Sequence, residues 1–278
     1  MPEAPRPVIL VTGCSSGIGR ESVTHLRKAG ALVVATARSP DHIRDLEMPG
    51  EVEVARLDVT STADRAAVVD GLMLRHGRID ALVNNAGHGA TLAVEDTSVE
   101  AMRAMFDVNL FGVHDLTRRV LPFMRRQGHG RIVNVSSVAG HVAVPLMGAY
   151  CATKFALRAL TQGLDMEVRR FGVRALLVEP GPISTRFGER ATTESRTHLP
   201  DSAASPYAAS YRKWDRVRGG GGRGVPASRV ARKVVHACMA AQPRNHYFVP
   251  ASASWVNLGK RLLPDAWTMA AMRAYFRA

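Results

Sequence analysis

A tyrosine and a lysine one helical turn apart are the residues of this sequence best suited to proton transfer. The apolar pattern of residues 149–170 predicts a helix that places Tyr150 and Lys154 on the same face. A phenol has an unperturbed pKa of about 10 and is by itself a poor base near neutral pH. A nearby lysine ammonium favours the phenolate and lowers that pKa, so this tyrosine is suited to exchange a proton with a carbonyl or alcohol oxygen.

A hydroxyl group is predicted beside this pair. Residues 131–135 form an apolar, β-branched run that is typical of a buried strand, and Ser136 and Ser137 follow it directly. The end of this strand and the start of the helix would bring a serine to the tyrosine. A Tyr-x-x-x-Lys spacing also arises by chance on amphipathic helices, so the rest of the chain must decide whether the cluster has a function.

Three glycines after the first predicted strand indicate a phosphate-binding turn. Val8–Val11 is a buried-strand run, and Gly13, Gly17 and Gly19 separate it from a helical pattern that ends near Ala29. Glycines in this place let a phosphate approach backbone N–H groups and the N-terminus of the helix. The GxxxGxG spacing differs from the GxGxxG dinucleotide fingerprint, and an ordinary strand–helix turn is the alternative interpretation.

The end of the second predicted strand favours NADP(H) over NAD(H). Dinucleotide folds that bind NAD place an acidic residue there, which accepts hydrogen bonds from the adenosine ribose. This strand ends instead in Ala37 and Arg38, and the first carboxylate is Asp41. A guanidinium group can bind a 2′-phosphate through several charge-assisted hydrogen bonds, although an arginine that only ends a strand in water is the alternative.

The next two predicted strands end in residues that suit the same ligand. Asp58 closes the third strand, where it is placed to meet an adenine amino group. The fourth strand, 79–83, is followed by Asn84–Gly87, whose small residues leave room for a ribose. Asn84 is equally suited to tie neighbouring strands together.

The composition is that of a soluble globular protein with a basic surface. The chain has 278 residues and a formal net charge of +13, but its arginines are scattered and show neither a long basic run nor a zinc-finger spacing. Binding to nucleic acid and a metal site are therefore not expected. Cys14, Cys151 and Cys238 have no paired spacing, which favours free thiols in a reducing cytoplasm. Neither a signal peptide nor an apolar stretch of the ~18 residues needed to cross a bilayer is found.

Six motifs resemble, in order and spacing, the short-chain dehydrogenase/reductase family. They are TGCSSGIG, NNAG, FDVNLFG, NVSS, YCATK and EPGPIST, and the similarity spans residues 8–250. The amphipathic tail, residues 255–278, resembles that of some hydroxysteroid- and retinol-dehydrogenase-like members. The resemblance implies a doubly wound α/β fold of the Rossmann type, with a parallel sheet of about seven strands in the order 3-2-1-4-5-6 and the last strand at the edge. It also implies one domain over residues 1–250 and a C-terminal helical extension over residues 251–278.

The family pattern implies a role for each residue of the cluster. Ser137 would donate a hydrogen bond to the substrate carbonyl, with Ser136 as the alternative one residue away. Tyr150 would be the acid in reduction and the base in oxidation, while Lys154 would lower its pKa and hold the nicotinamide ribose. Asn109 would lie in a locally distorted helix, where its backbone carbonyl holds a water beside the lysine. The cofactor-binding residues implied in the same way are Gly13, Ser15, Ser16, Gly17, Ile18, Gly19, Arg38, Asp58, Val59, Asn85, Ala86, Gly87, Tyr150, Lys154, Pro180, Gly181, Ile183 and Thr185.

The activity implied by the resemblance is the NADP(H)-dependent interconversion of a ketone or aldehyde and an alcohol, on a lipophilic small molecule. Two alternatives stay open. One is a reductase of β-ketoacyl groups on an acidic carrier protein, which the positive charge would suit, and the other is a non-catalytic NADP-binding regulator. Relatives are commonly homodimers or homotetramers, and the same is expected here.

No helical or strand pattern is found over residues 186–226, where family members carry a substrate-binding lid. A long loop is therefore expected, in which the glycine run 219–222 suits either a hinge or a disordered segment. Tyr207, Tyr211 and Trp214 are interpreted either as an aromatic lining for the substrate or as packing residues.

The C-terminal part of the sequence predicts one more helix, over 226–241, and a final strand over 245–249. The amphipathic tail beyond this strand is expected to pack on the same domain. Contact with a second subunit and peripheral contact with a membrane surface are the alternatives for the tail.

Overall fold

A parallel β-sheet forms the centre of the fold. The computed structural model describes residues 6–185, 187–199, 201–219, 224–262 and 264–276. Its strands are β1 Val8–Val11, β2 Leu32–Ala37, β3 Val52–Arg56, β4 Ala81–Asn84, β5 Gly130–Val135, β6 Val173–Pro180, β7 Ile183–Ser184, β8 Val225–Pro226 and β9 His246–Val249. Seven of these described strands form one sheet in the order β3-β2-β1-β4-β5-β6-β9, in which all neighbours are parallel. This order confirms the predicted doubly wound arrangement.

Helices connect the strands and cover both faces of the sheet. In the described part of the chain they are α1 Gly17–Lys28, α2 Thr62–His76, α3 Val99–Phe106, α4 Gly112–Gln127, α5 Gly148–Val168, α6 Phe187–His198, α7 Ala208–Gly219, α8 Ala227–Met239, α9 Ser254–Leu262 and α10 Asp265–Phe276. Ser61 and Ser98 begin α2 and α3, and each hydroxyl accepts a hydrogen bond from a backbone N–H three residues further on. Gly77 ends α2 with a φ of 66°, a conformation that glycine adopts without strain.

The hydrophobic core has one layer on each side of the sheet. Successive residues of a strand point to opposite faces. Ile9 and Val11 therefore pack in the layer formed with α1 and α8, while Val8 and Leu10 pack in the layer formed with α2 and α4. Asn84 donates a hydrogen bond to Oδ1 of Asn134 at 2.8 Å, so its side chain ties β4 to β5. These strands are buried on both faces, as their continuous apolar sequence predicts.

The segment 186–226 differs from the long loop that is expected there, because its described residues contain α6, α7 and β8. Contacts with the loop after β4 stabilise both helices. The N–H of Thr91 donates to Oγ of Ser195 in α6 at 2.7 Å, and the N–H of Ala93 donates to the hydroxyl of Tyr211 in α7 at 2.8 Å. Short helices held by tertiary contacts need little apolar periodicity of their own. The role of this segment as a substrate lid stays a prediction, and residues 220–222 of the glycine run lie outside the described residues.

The three aromatic residues of this segment pack against the protein. Tyr211 is 8% exposed and contacts an apolar cluster that also includes Trp214. The hydroxyl of Tyr207 donates to the carboxylate of Glu95 at 2.7 Å. These contacts favour the packing interpretation over an aromatic lining for a ligand.

The C-terminal tail forms α9 and α10, and several of its described large side chains are exposed. Trp255, Leu262 and Trp267 are 69%, 73% and 67% exposed. This exposure differs from the expected packing of the tail. The boundary between the domain and the extension at residue 250 stays a prediction. Among the residues that the structure describes, no helix combines the length and the apolar character of a membrane span.

A fully buried carboxylate links the last two strands of the sheet. Glu179 in β6 accepts hydrogen bonds from Nε2 of His141 at 2.6 Å and from Nδ1 of His246 at 2.8 Å. Burial alone would raise the pKa of this carboxyl. The hydrogen bonds from the two imidazoles outweigh that effect and hold the pKa of Glu179 below its ordinary value.

Replacing Glu179 by glutamine is expected to lower the free energy of unfolding by about 1.5–3 kcal/mol at neutral pH, the range for a hydrogen bond to a charged group. The folded pKa of Glu179 is lowered, so its stabilising contribution is present above the unfolded pKa of about 4.3 and is lost as pH falls through the folded value. Urea unfolding of both proteins should show a gap that closes on acidification. The exposed Glu167→Gln should change the free energy by less than about 0.5 kcal/mol, and equal losses in the two variants would contradict the assignment.

Candidate active site

The candidate catalytic residues and the candidate cofactor-binding residues meet where the parallel strands have their C-terminal ends. β1 leads into the glycine turn, β4 into Asn85–Gly87, β5 into Ser137 and β6 into Pro180, while α5 carries Tyr150 and Lys154. Side-chain hydrogen bonds join several of these loops directly. In open parallel sheets this edge is where ligands bind.

The glycine turn is closed against the segment that follows β4. The side-chain amide of Asn85 donates to the carbonyls of Thr12 and Gly13 at 2.9 and 3.1 Å. A Cβ at Gly13 would lie 2.8 Å from Cα of Ala86, and a Cβ at Gly19 would overlap the carbonyl oxygen of Gly13. Only glycine fits at these two positions. Asn85, a predicted cofactor residue, thus uses its side chain to hold the backbone of the turn.

The N-terminus of α1 lies at this turn, and the side chain at its N-cap accepts no hydrogen bond from the first N–H groups of the helix. Ser16 occupies the N-cap position without a side-chain hydrogen bond, and the first turn of α1 carries no acidic residue. Thr185 contacts the same place, because a Cβ on Gly17 would lie 3.1 Å from its methyl carbon. The first amides of a helix have no partner within it and form an electropositive end. The turn, with Ser15, Ser16, Gly17 and Ile18, therefore fits the phosphates of a dinucleotide.

Arg38 follows β2 with an exposed side chain that makes no hydrogen bond or ion pair to any residue within the described ranges. The carboxylate nearest to it in sequence, Asp41, is already bound by Arg44 at 2.8 Å. The charge of Arg38 reaches the loop after β4: burial lowers the pKa of His88, and Arg38 adds to this effect against the opposing charge of Glu194. The guanidinium group is therefore available to a ligand at this edge.

Other predicted cofactor residues follow the ends of β3 and β6. Asp58 accepts hydrogen bonds from the N–H and the hydroxyl of Thr60 at 2.9 and 2.8 Å, and Val59 beside it is buried. At the other strand, Gly181 is hydrogen-bonded to β9, and Ile183 begins β7. Their role in binding a cofactor stays a prediction.

The structure brings Ser137, and not Ser136, to the tyrosine. Hydrogen bonding by the Ser137 hydroxyl lowers the pKa of Tyr150, and Ser136 has no such effect on it. Oγ of Ser137 also donates to the carbonyl of Pro180 at 3.3 Å and accepts from the N–H of Ala139 at 3.1 Å. The hydroxyl of Ser136 is buried and has no hydrogen-bond partner among the described residues. This geometry favours Ser137 over the alternative one residue away.

Burial is the largest influence on the ionisation of Tyr150 and Lys154, which are 7% and 4% exposed. Burial raises the pKa of Tyr150 against the lowering effect of its hydrogen bond with Ser137, and it lowers the pKa of Lys154 to about 8. Nζ of Lys154 lies 5.7 Å from the centre of the Tyr150 ring and donates to the carbonyl of Val135 at 3.0 Å. The shift of Tyr150 is thus opposite to the one expected from the lysine charge alone. The phenol is protonated at neutral pH, which suits a proton donor.

The locally distorted helix expected at Asn109 is present as a π-helical turn, Asp107–Phe111, between α3 and α4. The Asn109 side chain is buried, accepts from the N–H of His88 at 2.8 Å and donates to its carbonyl at 2.7 Å. It also donates to Oγ1 of Thr153, which precedes Lys154, at 3.0 Å. The side chain therefore fixes the loop after β4 against α5. The role of its backbone carbonyl stays a prediction.

Two residues beside the cluster are absent from the predicted site. The ring of Phe187, at the start of α6, lies 5.7 Å from that of Tyr150, and a Cβ at Gly89 would lie 2.9 Å from the Phe187 ring. The imidazole of His88 lies 3.7 Å from the carboxylate of Glu194 in α6. The sequence gives only a weak signal for either residue. Phe187 is one apolar residue in a polar segment, and His88 is a single histidine that follows the NNAG motif. Further apolar neighbours of Tyr150 are Ala90, Leu92, Met102, Met105, Ala149 and Met147.

The comparison with protein families agrees with this geometry. A family model described as short chain dehydrogenase matches residues 7–196. The chain belongs to the short-chain dehydrogenase/reductase family. The resemblance inferred from the six motifs is confirmed, and the protein is an oxidoreductase of this family.

Relatives of this short-chain dehydrogenase/reductase include bacterial and human proteins. It is 37% identical over 257 residues to the uncharacterized oxidoreductase YbbO of Escherichia coli K12, which covers 92% of this chain and 90% of that protein. It is 33% identical to a 3-ketodihydrosphingosine reductase of Bacteroides thetaiotaomicron, over 74% of each chain. It is 41% identical to human retinol dehydrogenase 8 over 67% of this chain and 62% of that protein.

Solved structures of the family share the fold over nearly the whole chain. A short-chain dehydrogenase from Streptomyces avermitilis aligns with a TM-score of 0.81 and 29% identity, over 99% of this chain and 97% of that one. An actinorhodin polyketide ketoreductase variant with NADPH aligns with a TM-score of 0.74 and 32% identity, over 89% of this chain and 97% of that one. A short-chain dehydrogenase/reductase from Burkholderia phymatum in complex with NAD aligns with a TM-score of 0.76 and 29% identity, over 94% of this chain and 95% of that one. Members of this family therefore bind nicotinamide dinucleotides of both kinds.

Proposed function

We propose that this short-chain dehydrogenase/reductase uses NADP(H) to interconvert a ketone or aldehyde and an alcohol on a lipophilic substrate. The observation that carries the proposal is the buried pair of Tyr150 and Lys154, with Nζ of the lysine 5.7 Å from the centre of the tyrosine ring. The Ser137 hydroxyl, just after β5, lowers the pKa of Tyr150 against the effect of burial. These groups lie at the sheet edge that also carries the glycine turn. The presence of all three argues against a non-catalytic regulator.

The proposed mechanism divides the chemistry between the three side chains. A bound NADPH supplies the hydride to the carbonyl carbon. Oγ of Ser137 donates a hydrogen bond to the carbonyl oxygen and stabilises the negative charge that develops there. The hydroxyl of Tyr150, protonated because burial raises its pKa, gives its proton to the same oxygen. Lys154 binds the nicotinamide ribose and, when charged, stabilises the phenolate. Oxidation of the alcohol follows the same steps in reverse.

The surroundings of Arg38 support a preference for NADP(H). Its exposed guanidinium group has no protein partner within the described residues, and Asp41 is occupied by Arg44. A 2′-phosphate would provide Arg38 with charge-assisted hydrogen bonds. Ala37 offers no acceptor for the ribose hydroxyls of NAD(H).

A lipophilic substrate is supported by the side chains around Tyr150. Phe187 packs on its ring, and the surrounding apolar cluster is made of Ala, Leu, Met, Val, Cys and Phe side chains. The names of two relatives point in the same direction, because retinol and 3-ketodihydrosphingosine are both largely hydrocarbon molecules. A substrate with a long apolar part would therefore gain binding energy at this site.

The proposal is tested by measuring NADPH oxidation with a series of linear ketones of increasing length. We expect turnover, with kcat/KM rising by up to about fourfold for each added methylene that becomes buried. An acyl-group reductase would instead act on a carrier-bound β-ketoacyl group and on no free ketone. That result, or the absence of turnover with any carbonyl compound, would refute the proposal.

The two adjacent serines provide a matched pair for the catalytic assignment. Ser137→Ala is expected to lower kcat by on the order of 10²–10³, because it removes a hydrogen-bond donor to the developing oxyanion. Ser136→Ala should have a mild effect on kcat, since its hydroxyl has no hydrogen-bond partner among the described residues and does not influence the pKa of Tyr150. Unfolding midpoints of both variants serve as the control for folding. A larger loss at Ser136 would show that the register assigned here is wrong.

A further inference from the structure

A cavity outside the candidate active site is lined by basic side chains. It has a volume of about 470 Å³ and lies between α8, β9 and the start of α9. Its basic lining residues are Arg229, Arg232, Lys233, His236, Arg244 and His246. No acidic side chain is among the described residues that line it.

Four of these basic residues form one stripe on α8. Arg229, Arg232, Lys233 and His236 are spaced by three, one and three residues, which places them on the same face of the helix. The opposite face is fixed in the core by the buried residues Val230, Ala231, Val234 and Ala237. The basic stripe is therefore held at the cavity by the packing of the whole helix.

The arginine and lysine charges of this stripe are unpaired within the residues that the structure describes. The exposed side chains of Arg229, Arg232 and Lys233 make no hydrogen bond or ion pair with any residue in the described part of the chain. Arginines elsewhere bind carboxylates, as in the pairs Arg65–Asp115, Arg78–Asp80 and Arg174–Asp165. Like charges one turn apart repel each other. An anion in the cavity would remove this repulsion.

We propose that this cavity binds the phosphate group of an organic phosphate. Several cationic groups around one space match a doubly charged oxyanion, and guanidinium groups bind phosphate through paired hydrogen bonds. The volume leaves room for an organic part beside the phosphate, for which Phe248, Val249 and Pro250 provide an apolar wall. A soluble phosphate ester and the headgroup of a phospholipid share this chemistry.

The cavity is separate from the place proposed for the 2′-phosphate of the cofactor. Arg38 follows β2, and the cavity adjoins β9 at the opposite side of the sheet, five strand spacings away in the order β2-β1-β4-β5-β6-β9. With neighbouring strands about 4.8 Å apart, the two lie roughly 24 Å from each other. The 2′-phosphate of a cofactor bound at Arg38 therefore cannot occupy the cavity.

The test compares a cavity variant with a charge-matched control. Arg229→Gln, Arg232→Gln and Lys233→Gln are combined in one protein, and Arg103→Gln, Arg125→Gln and Arg126→Gln, exposed on α3 and α4, in the other. Phenyl phosphate is titrated into each full-length protein by calorimetry at constant ionic strength, with and without saturating NADPH. Sedimentation with vesicles of phosphatidic acid, and of phosphatidylcholine as the neutral lipid, tests the lipid source.

The wild type and the control are expected to bind phenyl phosphate with the same saturable affinity, whether or not NADPH is present. Binding by the cavity variant should be at least about tenfold weaker, since it lacks several charge-assisted hydrogen bonds. Binding to phosphatidic acid vesicles alone, lost only in the cavity variant, would identify a lipid as the source of the phosphate. No binding to either probe, or an equal loss in both variants, would overturn the proposal. Urea unfolding verifies that both variants are folded.

Discussion

Replacing Tyr150 by phenylalanine is expected to lower kcat by a factor on the order of 10²–10⁴, the usual contribution of a positioned acid or base. The phenylalanine ring retains the packing against Phe187, while the hydroxyl that meets Ser137 is lost. Affinity for NADPH, measured by fluorescence titration, should stay within a few-fold because the glycine turn and Arg38 are unchanged. A variant that kept more than about a tenth of the wild-type rate would contradict the role of Tyr150.

Lys154→Ala provides the comparison that separates proton transfer from cofactor binding. In the proposed mechanism Lys154 binds the nicotinamide ribose as well as stabilising the phenolate, so this variant should lose both turnover and NADPH affinity. Its pKa of about 8 also means that the wild-type lysine loses its charge as pH rises above that value. Unchanged NADPH affinity in Lys154→Ala would remove the ribose-binding role and leave the role of Tyr150 intact.

The double variant Ala37→Asp with Arg38→Ala is expected to invert the cofactor preference from NADP(H) to NAD(H). Loss of a charge-assisted contact with the 2′-phosphate costs about 1.5–3 kcal/mol, or roughly ten- to a hundredfold in affinity. The new carboxylate would accept hydrogen bonds from the ribose hydroxyls and repel the phosphate. The measurement is kcat/KM for NADPH and NADH in both proteins at two salt concentrations. Added salt should weaken NADPH binding by the wild type, because Arg38 is exposed and its charge is screened.

Arg103→Ala is the matched control for the loss of one positive charge, because Arg103 is exposed on α3. It should leave the ratio of the two kcat/KM values unchanged. Equal use of both cofactors by the wild type would refute the proposed preference. So would an unchanged ratio in the double variant, and Ser15 in the glycine turn would then be the next residue to test.

The sheet and the position of the catalytic cluster were predictable from the sequence because local patterns determine them. The apolar strand runs predicted β1 and β5, and the four-residue spacing placed Tyr150 and Lys154 on one face of α5. The distorted helix at Asn109 followed from the family pattern. In each case the signal lies within a few residues of the element that it predicts.

The features that the sequence did not predict depend on distant contacts. Helices α6 and α7 are stabilised by hydrogen bonds between Ser195 and Thr91 and between Tyr211 and Ala93, each across more than a hundred residues of chain. The raised pKa of Tyr150 depends on burial, which its spacing from Lys154 does not reveal. Asn85 was expected at the cofactor, and only the fold shows that its amide holds the glycine turn.

The manner in which α6 and α7 attach to the domain bears on how relatives of this protein diverge. The loop after β4 contributes backbone N–H groups to both attachments, and every residue except proline has such a group whatever its side chain. No described side chain of either helix belongs to the two apolar layers that cover the main sheet. Mutations of the apolar side chains around Tyr150 can therefore accumulate under selection for a new substrate, while the proton-transfer residues are inherited unchanged.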